Sequence, residues 1–294
     1  MPTATVGSIE LHYEEFGDPD DPPLLLVMGL GAQMIVWPDE FCLGLVDRGF
    51  RVIRFDNRDV GLSTYLDGAE VDLGAAMMAG LSGQPYSAVP YTLSDMAADA
   101  VGLLDHLAID DVHIVGASLG GMIVQTMAIE HGHRVLSLCS IMSTTGNPQF
   151  GAPTQEAMGA LLAPGPTERE AAIEHSVGVS KVIASEVHFD EESVRSRAAA
   201  HYDRAFYPDG VPRQMAAIMA SGSREEGLAQ LDIPTLVVHG ADDPLITPSG
   251  GERTAELIPD AELLVLEEMA HDLPVPLWAP IIEAITTNAL RAAG

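Results

Sequence analysis

The sequence predicts an α/β fold: a mostly parallel sheet flanked by helices, with a helical cap inserted late in the chain. Three observations carry this. Short, continuous apolar runs recur, as expected of strands buried on both faces of a parallel sheet. Between them lie stretches with apolar residues at three- and four-residue steps, so strand and helix alternate and right-handed crossovers follow. From about 148 to 229 helical patterns with several glycines and prolines continue without a strong strand. The expected organisation is a core of residues 1–147 and 230–294 and a cap of residues 148–229. A chain of 294 residues is long enough to bury its core without disulfides.

The elements follow in order. Ile9, Leu11 and Tyr13 alternate with polar residues, a half-exposed strand. The turn cluster DPDDPP separates it from LLLVMG (24–29), a buried strand. DEFCLGLVDRG (39–49) reads as a helix closed by Gly49, and RVIRFD (51–56) as the next strand. The Gly-rich stretch 66–87 reads as a long loop shaping an entrance, with AAMMAG as an alternative short lid helix. TLSDMAADAVGLLDHLAI (92–109) is the clearest helix, opened by Thr92 and Asp95 as a capping pair. VHIVGA (112–117) is a strand followed by a helix to about 131. VLSLCSIM (135–142), TLVVHG (235–240) and AELLVLEE (261–268) are the remaining strands, and a last helix covers about 276–293.

Composition narrows the partners. Fourteen Lys and Arg face 43 Asp and Glu, a formal charge of −29, and Lys181 is the one lysine. Such a surface repels nucleic-acid phosphates and anionic lipid, which argues against both as partners. Cys42 and Cys139 fall in apolar patterns and read as small buried hydrophobes in a reducing compartment. The N-terminus carries no basic stretch followed by an apolar core, and no apolar run is long enough to span a bilayer. The expectation is a cytoplasmic protein of undetermined oligomeric state.

Chemistry is written in VGASLGG (115–121), where a strand ends on Gly116-Ala117-Ser118-Leu119-Gly120 and a helix begins at once. A serine on so sharp a turn projects its hydroxyl at the carboxyl edge of the sheet, and the crowding demands small residues two positions to either side. The string alone is a weak signal; a strand before it and a helix after it strengthen it. A serine hydroxyl needs a general base, and the base an orienting acid. The strand ending at Gly240 presents Asp242 and Asp243; the last strand is followed by a loop bearing His271. The other nine histidines lie in strands, helices or the cap, except His239, which should point into the sheet.

The segments LLLVMGLG, FDNRDVGLS, YTLSDMAADAVGLLDHL, VGASLGG, VVHGADDPL and MAHDLP resemble those of α/β-hydrolase serine esterases, including aclacinomycin methylesterase-like carboxylesterases, over nearly the whole chain. The resemblance implies an α/β-hydrolase fold, Ser118 as nucleophile, His271 as base and, from the aspartate before the proline of DDPL, Asp243 as acid. It implies the backbone N–H groups of Leu30 and Leu119 as the oxyanion hole, and no metal or organic cofactor. Many relatives carry His-Gly where this chain has Met28-Gly29; the donors being backbone groups, the difference leaves them intact. Arg58 and Asp59 of FDNRDVGLS are expected to brace their loop. Met34, Trp37, Met142 and Leu273 lie beside these loops and are expected to line an apolar substrate pocket, with ordinary core as the competing reading for each. The implied reaction is hydrolysis of small to medium uncharged carboxylic esters through an acyl-enzyme. Carbon–carbon bond hydrolysis and cofactor-free perhydrolysis use the same three side chains, and a slow-turnover ligand receptor is the alternative of another class. Ser118 argues against dehalogenases and epoxide hydrolases, which attack with a carboxylate.

Overall fold

The computed structural model describes residues 2–84 and 86–293. Residues 1 and 294 of the expected core, and residue 85 of the 66–87 stretch, lie outside the described residues. Strands β1 (Thr3–Val6), β2 (Ile9–Phe16), β3 (Pro23–Val27), β4 (Arg51–Phe55), β5 (Val112–Ala117), β6 (Val135–Ile141), β7 (Thr235–Gly240) and β8 (Glu262–Leu266) form one sheet in the order β1-β2-β4-β3-β5-β6-β7-β8. β1 and β2 pair antiparallel, as do β2 and β4; every later pairing is parallel. This is the α/β-hydrolase fold. The middle strands are buried on both faces, which is why Leu24, Leu25, Leu26 and Val27 can all be apolar. Met28 and Gly29, expected in this strand, leave the sheet instead, because the chain turns at Gly29.

The helices are α1 (Asp39–Val46), α2 (Leu73–Leu81), α3 (Leu93–His106), α4 (Leu119–Glu130), α5 (Gln155–Leu162), α6 (Arg169–Ile183), α7 (Glu191–Arg204), α8 (Gly210–Ser221), α9 (Glu225–Leu228), α10 (Ser249–Leu257) and α11 (Trp278–Leu290). α3 and α4 cover one face of the sheet with Leu93, Met96, Leu103, Ile123 and Met127; α1 and α11 cover the other with Phe41, Leu45, Ile281 and Ile285. Cys42 and Cys139 are unpaired and buried on that second face, and burial pushes the Cys42 thiol up to about 12 and the Cys139 thiol higher still. The stretch 66–87 contains the short helix α2. Between β6 and β7 the described chain forms α5–α9 and no strand.

Two elements went unread in the sequence. β1 is four residues, too short for an alternation to show, and is held by its ladder to β2. α10 begins Ser-Gly-Gly; a Cβ on Gly251 would strike the ring of His239 on β7, so glycine is the condition for this helix to approach the sheet.

At the start of α3, Asp95 Oδ2 accepts the Thr92 N–H at 2.8 Å and Thr92 Oγ1 accepts the Asp95 N–H, a complete capping box. Thr92→Ala should lower the unfolding free energy by about 1 kcal/mol in urea titration while turnover stays unchanged; an unaltered unfolding midpoint would mean that the cap contributes nothing.

Candidate active site

Ser118 is the single residue between β5 and α4, at φ 56 and ψ −119, a conformation that a residue with a Cβ adopts only when its surroundings enforce it. Its N–H donates to Ile141 O at 2.9 Å, while its carbonyl accepts from Met122 N at 3.2 Å and Ser143 Oγ at 2.9 Å. A Cβ on Gly116 would collide with the backbone of Gly120, and one on Gly120 with the Val27 carbonyl. The two glycines are therefore where strand and helix touch, and the serine is what the turn leaves standing.

Asp243 follows β7 and is buried; its Oδ1 accepts the N–H groups of Leu245 at 2.8 Å and Ile246 at 2.9 Å. Its Oδ2 lies 2.8 Å from His271 Nδ1, and His271 Nε2 lies 3.0 Å from Ser118 Oγ. With a carboxylate on Nδ1, that nitrogen carries the ring proton, and Nε2 is free to accept from the serine hydroxyl. Asp242, the other candidate of that loop, is exposed; its N–H donates to Met269 O at 3.0 Å. His239 points into the protein as its place in the strand implied: it is fully buried, donates Nε2–H to Ile246 O at 2.7 Å, and burial holds its pKa below the usual histidine range. The His271 loop is tied to the end of α6. His271 N–H donates to Ile183 O at 2.9 Å, and Asp272 Oδ1 accepts Ser185 N–H at 3.1 Å; burial raises the pKa of the Asp272 carboxyl.

The chain after β3 approaches the serine from the other side. A Cβ on Gly29 would lie 3.1 Å from Ser118 Cβ, so only glycine passes here comfortably. Gly29–Ala32 is a turn closed by Ala32 N–H to Gly29 O at 3.3 Å, with Gly31 at φ +62. Leu30 and Leu119 border the same cavity, and neither backbone N–H donates to another described residue, Leu119 being the first residue of α4. Two such amides next to a serine hydroxyl suit a developing oxyanion.

Several residues not singled out in the sequence hold this loop. Asn57 Nδ2 donates to Met28 O at 2.9 Å, and Asp56 Oδ1 accepts Met34 N–H at 2.7 Å. From α8, Gln214 Oε1 accepts Gly31 N–H at 2.8 Å; from α7, His201 Nε2 accepts Gln33 N–H at 2.8 Å. The buried Gln33 side chain donates to the carbonyls of His201 and Ala205 and accepts from Arg204, which pairs with Asp56 at 2.8 Å. Arg58 and Asp59 hold protein groups: Arg58 pairs with Asp99 at 2.6 Å, and Asp59 with Arg213 at 2.8 Å.

A cavity of about 540 Å³ opens over Ser118 and His271. Met142 and Leu273 line it, but Met34 and Trp37 do not. The 3-10 turn Met34–Val36 buries Met34 completely and turns Val36 outward; Trp37, also fully buried, packs on Phe41 at a ring-centroid distance of 5.3 Å. Val36 and Pro38 line the cavity in their place. Met158, Ile183, Met215 and Met219, from the α5–α8 segment, close it from above. Among the described residues no group of three or more His, Cys, Asp or Glu is arranged to hold a metal ion, and no helix is long and apolar enough to cross a membrane.

Residues 22–275 match the α/β-hydrolase fold family. The chain is 30% identical to rhodomycin D methylesterase DnrP of Streptomyces peucetius, across 99% of both chains. It is 26% identical to 3-oxoadipate enol-lactonase 2 of Acinetobacter baylyi, across 90% of this chain and 88% of that one. A thermophilic esterase from Thermogutta terrifontis superposes with a TM-score of 0.72 at 22% identity, covering 100% and 99% of the two chains.

The contact between α7 and the loop has a pH signature. His201 accepts through Nε2, and burial, with Arg204 next to it, pushes its pKa from 6.5 to about 4. The unfolded chain takes up this proton near 6.5 and the folded one only near 4. Stability is thus fully present above the unfolded value and lost as pH falls from 6.5 toward 4, by up to about 3 kcal/mol. The stability gap between wild type and His201→Gln should shrink between about pH 7.5 and about pH 5 in urea unfolding. An equal gap at both would show that His201 does not hold the loop as a neutral acceptor.

Proposed function

The chain belongs to the α/β-hydrolase fold family and is a carboxylic ester hydrolase, and on that premise we propose that it works through Ser118, His271 and Asp243 by way of an acyl-enzyme. The observation that carries this reading is the unbroken hydrogen-bonded chain from Asp243 Oδ2 through His271 to Ser118 Oγ at the floor of the cavity. His271 takes the Ser118 proton as the oxygen attacks the ester carbonyl. The N–H groups of Leu30 and Leu119 receive the charge on the carbonyl oxygen. Protonated His271, paired with the Asp243 carboxylate, gives its proton to the departing alcohol. A water deprotonated by the same ring then attacks the acyl carbonyl, and collapse returns the proton to Ser118 and releases the acid.

We read the substrates as uncharged esters that unite a small alcohol with a bulky apolar acid. Met, Leu and Ile are prominent in the lining, and six methionines (Met28, Met122, Met142, Met158, Met215 and Met219) give it an adaptable apolar wall. A protein of net charge −29 disfavours anionic substrates at a distance. The relative from Streptomyces peucetius is a methylesterase, which supports a small departing alcohol.

Ser118→Ala should lower kcat on a methyl or p-nitrophenyl ester by at least about a thousandfold, with the circular dichroism spectrum unchanged. A fluorophosphonate should label wild type and spare the variant. Turnover at the wild-type rate in Ser118→Ala would refute the mechanism. Comparison of an apolar methyl ester with its equally sized anionic analogue tests the substrate class; equal kcat/KM for the two would reject it.

A further inference from the structure

The turn that carries Leu30 is held from outside itself. Gly31 sits at φ +62 while Leu30 does not enter the left-handed region, the signature of a type II turn, in which the central peptide is inverted relative to type I. That central peptide is Leu30 C=O with Gly31 N–H. The turn's own closing bond, Ala32 N–H to Gly29 O, is long at 3.3 Å, whereas Gly31 N–H reaches Gln214 Oε1 at 2.8 Å. Gln214 is fully buried, and its Nε2 donates to Arg58 O at 2.8 Å. Both ends of one α8 side chain are thus committed to backbone groups of the core, one on the Leu30 turn and one on the loop after β4. Val211, one turn earlier on α8, presses on the same glycine: a Cβ on Gly31 would lie 2.8 Å from Val211 Cγ2.

We propose that Gln214 is a positioning residue for the oxyanion donor. By capturing Gly31 N–H it anchors the Gly29–Ala32 turn against α8, and so holds in place the Leu30 N–H of the preceding Gly29–Leu30 peptide. The inference rests on the reading of Leu30 and Leu119 as oxyanion donors. It adds that the helical segment above the cavity completes the charge-stabilising half of the site. With α8 displaced, the cavity still takes up an ester, but the whole turn loses its anchor and can shift away from Ser118, and the oxyanion loses one aligned donor.

Gln214→Met keeps the side-chain volume and removes both hydrogen bonds. It should lower kcat by about tenfold to a hundredfold, less than outright loss of an oxyanion donor, with KM changed by less than about threefold. The affinity of an alkyl trifluoromethyl ketone, which forms a tetrahedral oxyanion on the serine, should fall by the same factor as kcat/KM. Gln214→Glu keeps an acceptor for Gly31 N–H and should recover most of the lost kcat. Tyr207→Phe removes another tie of the same segment, its hydroxyl bonds to Asp67 at 2.6 Å and Arg213 at 2.7 Å. It should lower stability and leave kcat alone. Should Gln214→Met not fold, Gln214→Asn, which draws the acceptor back by one methylene, carries the same kcat and inhibitor readout. Full kcat in Gln214→Met, lost kcat with unchanged ketone affinity, a Glu variant as impaired as the Met variant, or an equal kcat loss in Tyr207→Phe overturns the proposal. A wild type that binds no ketone and loses nothing in Ser118→Ala overturns the serine reading and this proposal together. A wild type that passes both while Gln214→Met keeps full kcat overturns this proposal alone.

Discussion

Two backbones touch at Gly116 and Gly120, and the arrangement around Ser118 depends on that contact. The first turn of α4 lies against the end of β5 and against the Val27 carbonyl of β3, with no room for a methyl group at either glycine. Only because the helix starts so close to the strands does Ser118 occupy φ 56, with its N–H and carbonyl satisfied by Ile141, Met122 and Ser143. The same closeness brings the first free amide of α4 beside the Gly29–Ala32 turn. A substituent at either glycine would push the first turn of α4 away from β5 and β3, and the Ser118 hydroxyl, the two amides and the His271 imidazole would no longer face one point.

The sheet supplies position, and the loops at its carboxyl edge carry the proposed catalytic groups. β5 delivers the serine, β7 the aspartate and β8 the histidine, while the chain after β3 delivers Leu30. Each loop is fixed by hydrogen bonds that do not involve the proposed catalytic atoms. Leu245 and Ile246 N–H groups hold Asp243, Asp56 and Asn57 hold the Leu30 loop from below, and α7 and α8 hold it from above. This division leaves the cavity wall free to be apolar and adaptable while the reacting groups stay in register.

Much of this was legible in the sequence because it is written in local patterns. Continuous apolar runs mark strands buried on both faces, and glycines two positions to either side of Ser118 mark a contact that only glycine allows. The capping pair Thr92 and Asp95 names a helix start. The choice of Asp243 over Asp242 rests on resemblance; Asp243 is buried with Oδ2 2.8 Å from His271 Nδ1, whereas Asp242 is exposed. What was not legible depends on partners far away in the chain. Gln214 lies 183 residues from Gly31, and His201 lies 168 from Gln33, so nothing near either residue announces its role. Met34 and Trp37 were placed beside the cavity by their neighbours in sequence, but a single 3-10 turn decides which side chains face inward, and it turned Val36 out instead. α10 carries only two apolar side chains, Ala255 and Leu257, too few for a pattern to be seen, and it packs largely through Gly250, Gly251 and Thr254.

The tether between His271 N–H and Ile183 O has a mechanical consequence. The far end of α6 roofs the cavity and, through one backbone bond and the neighbouring Asp272–Ser185 contact, also suspends the loop that bears the imidazole. The end of α6 is thus at once part of the cavity wall and the anchor of the loop from which the His271 ring projects, so a substitution there bears on both.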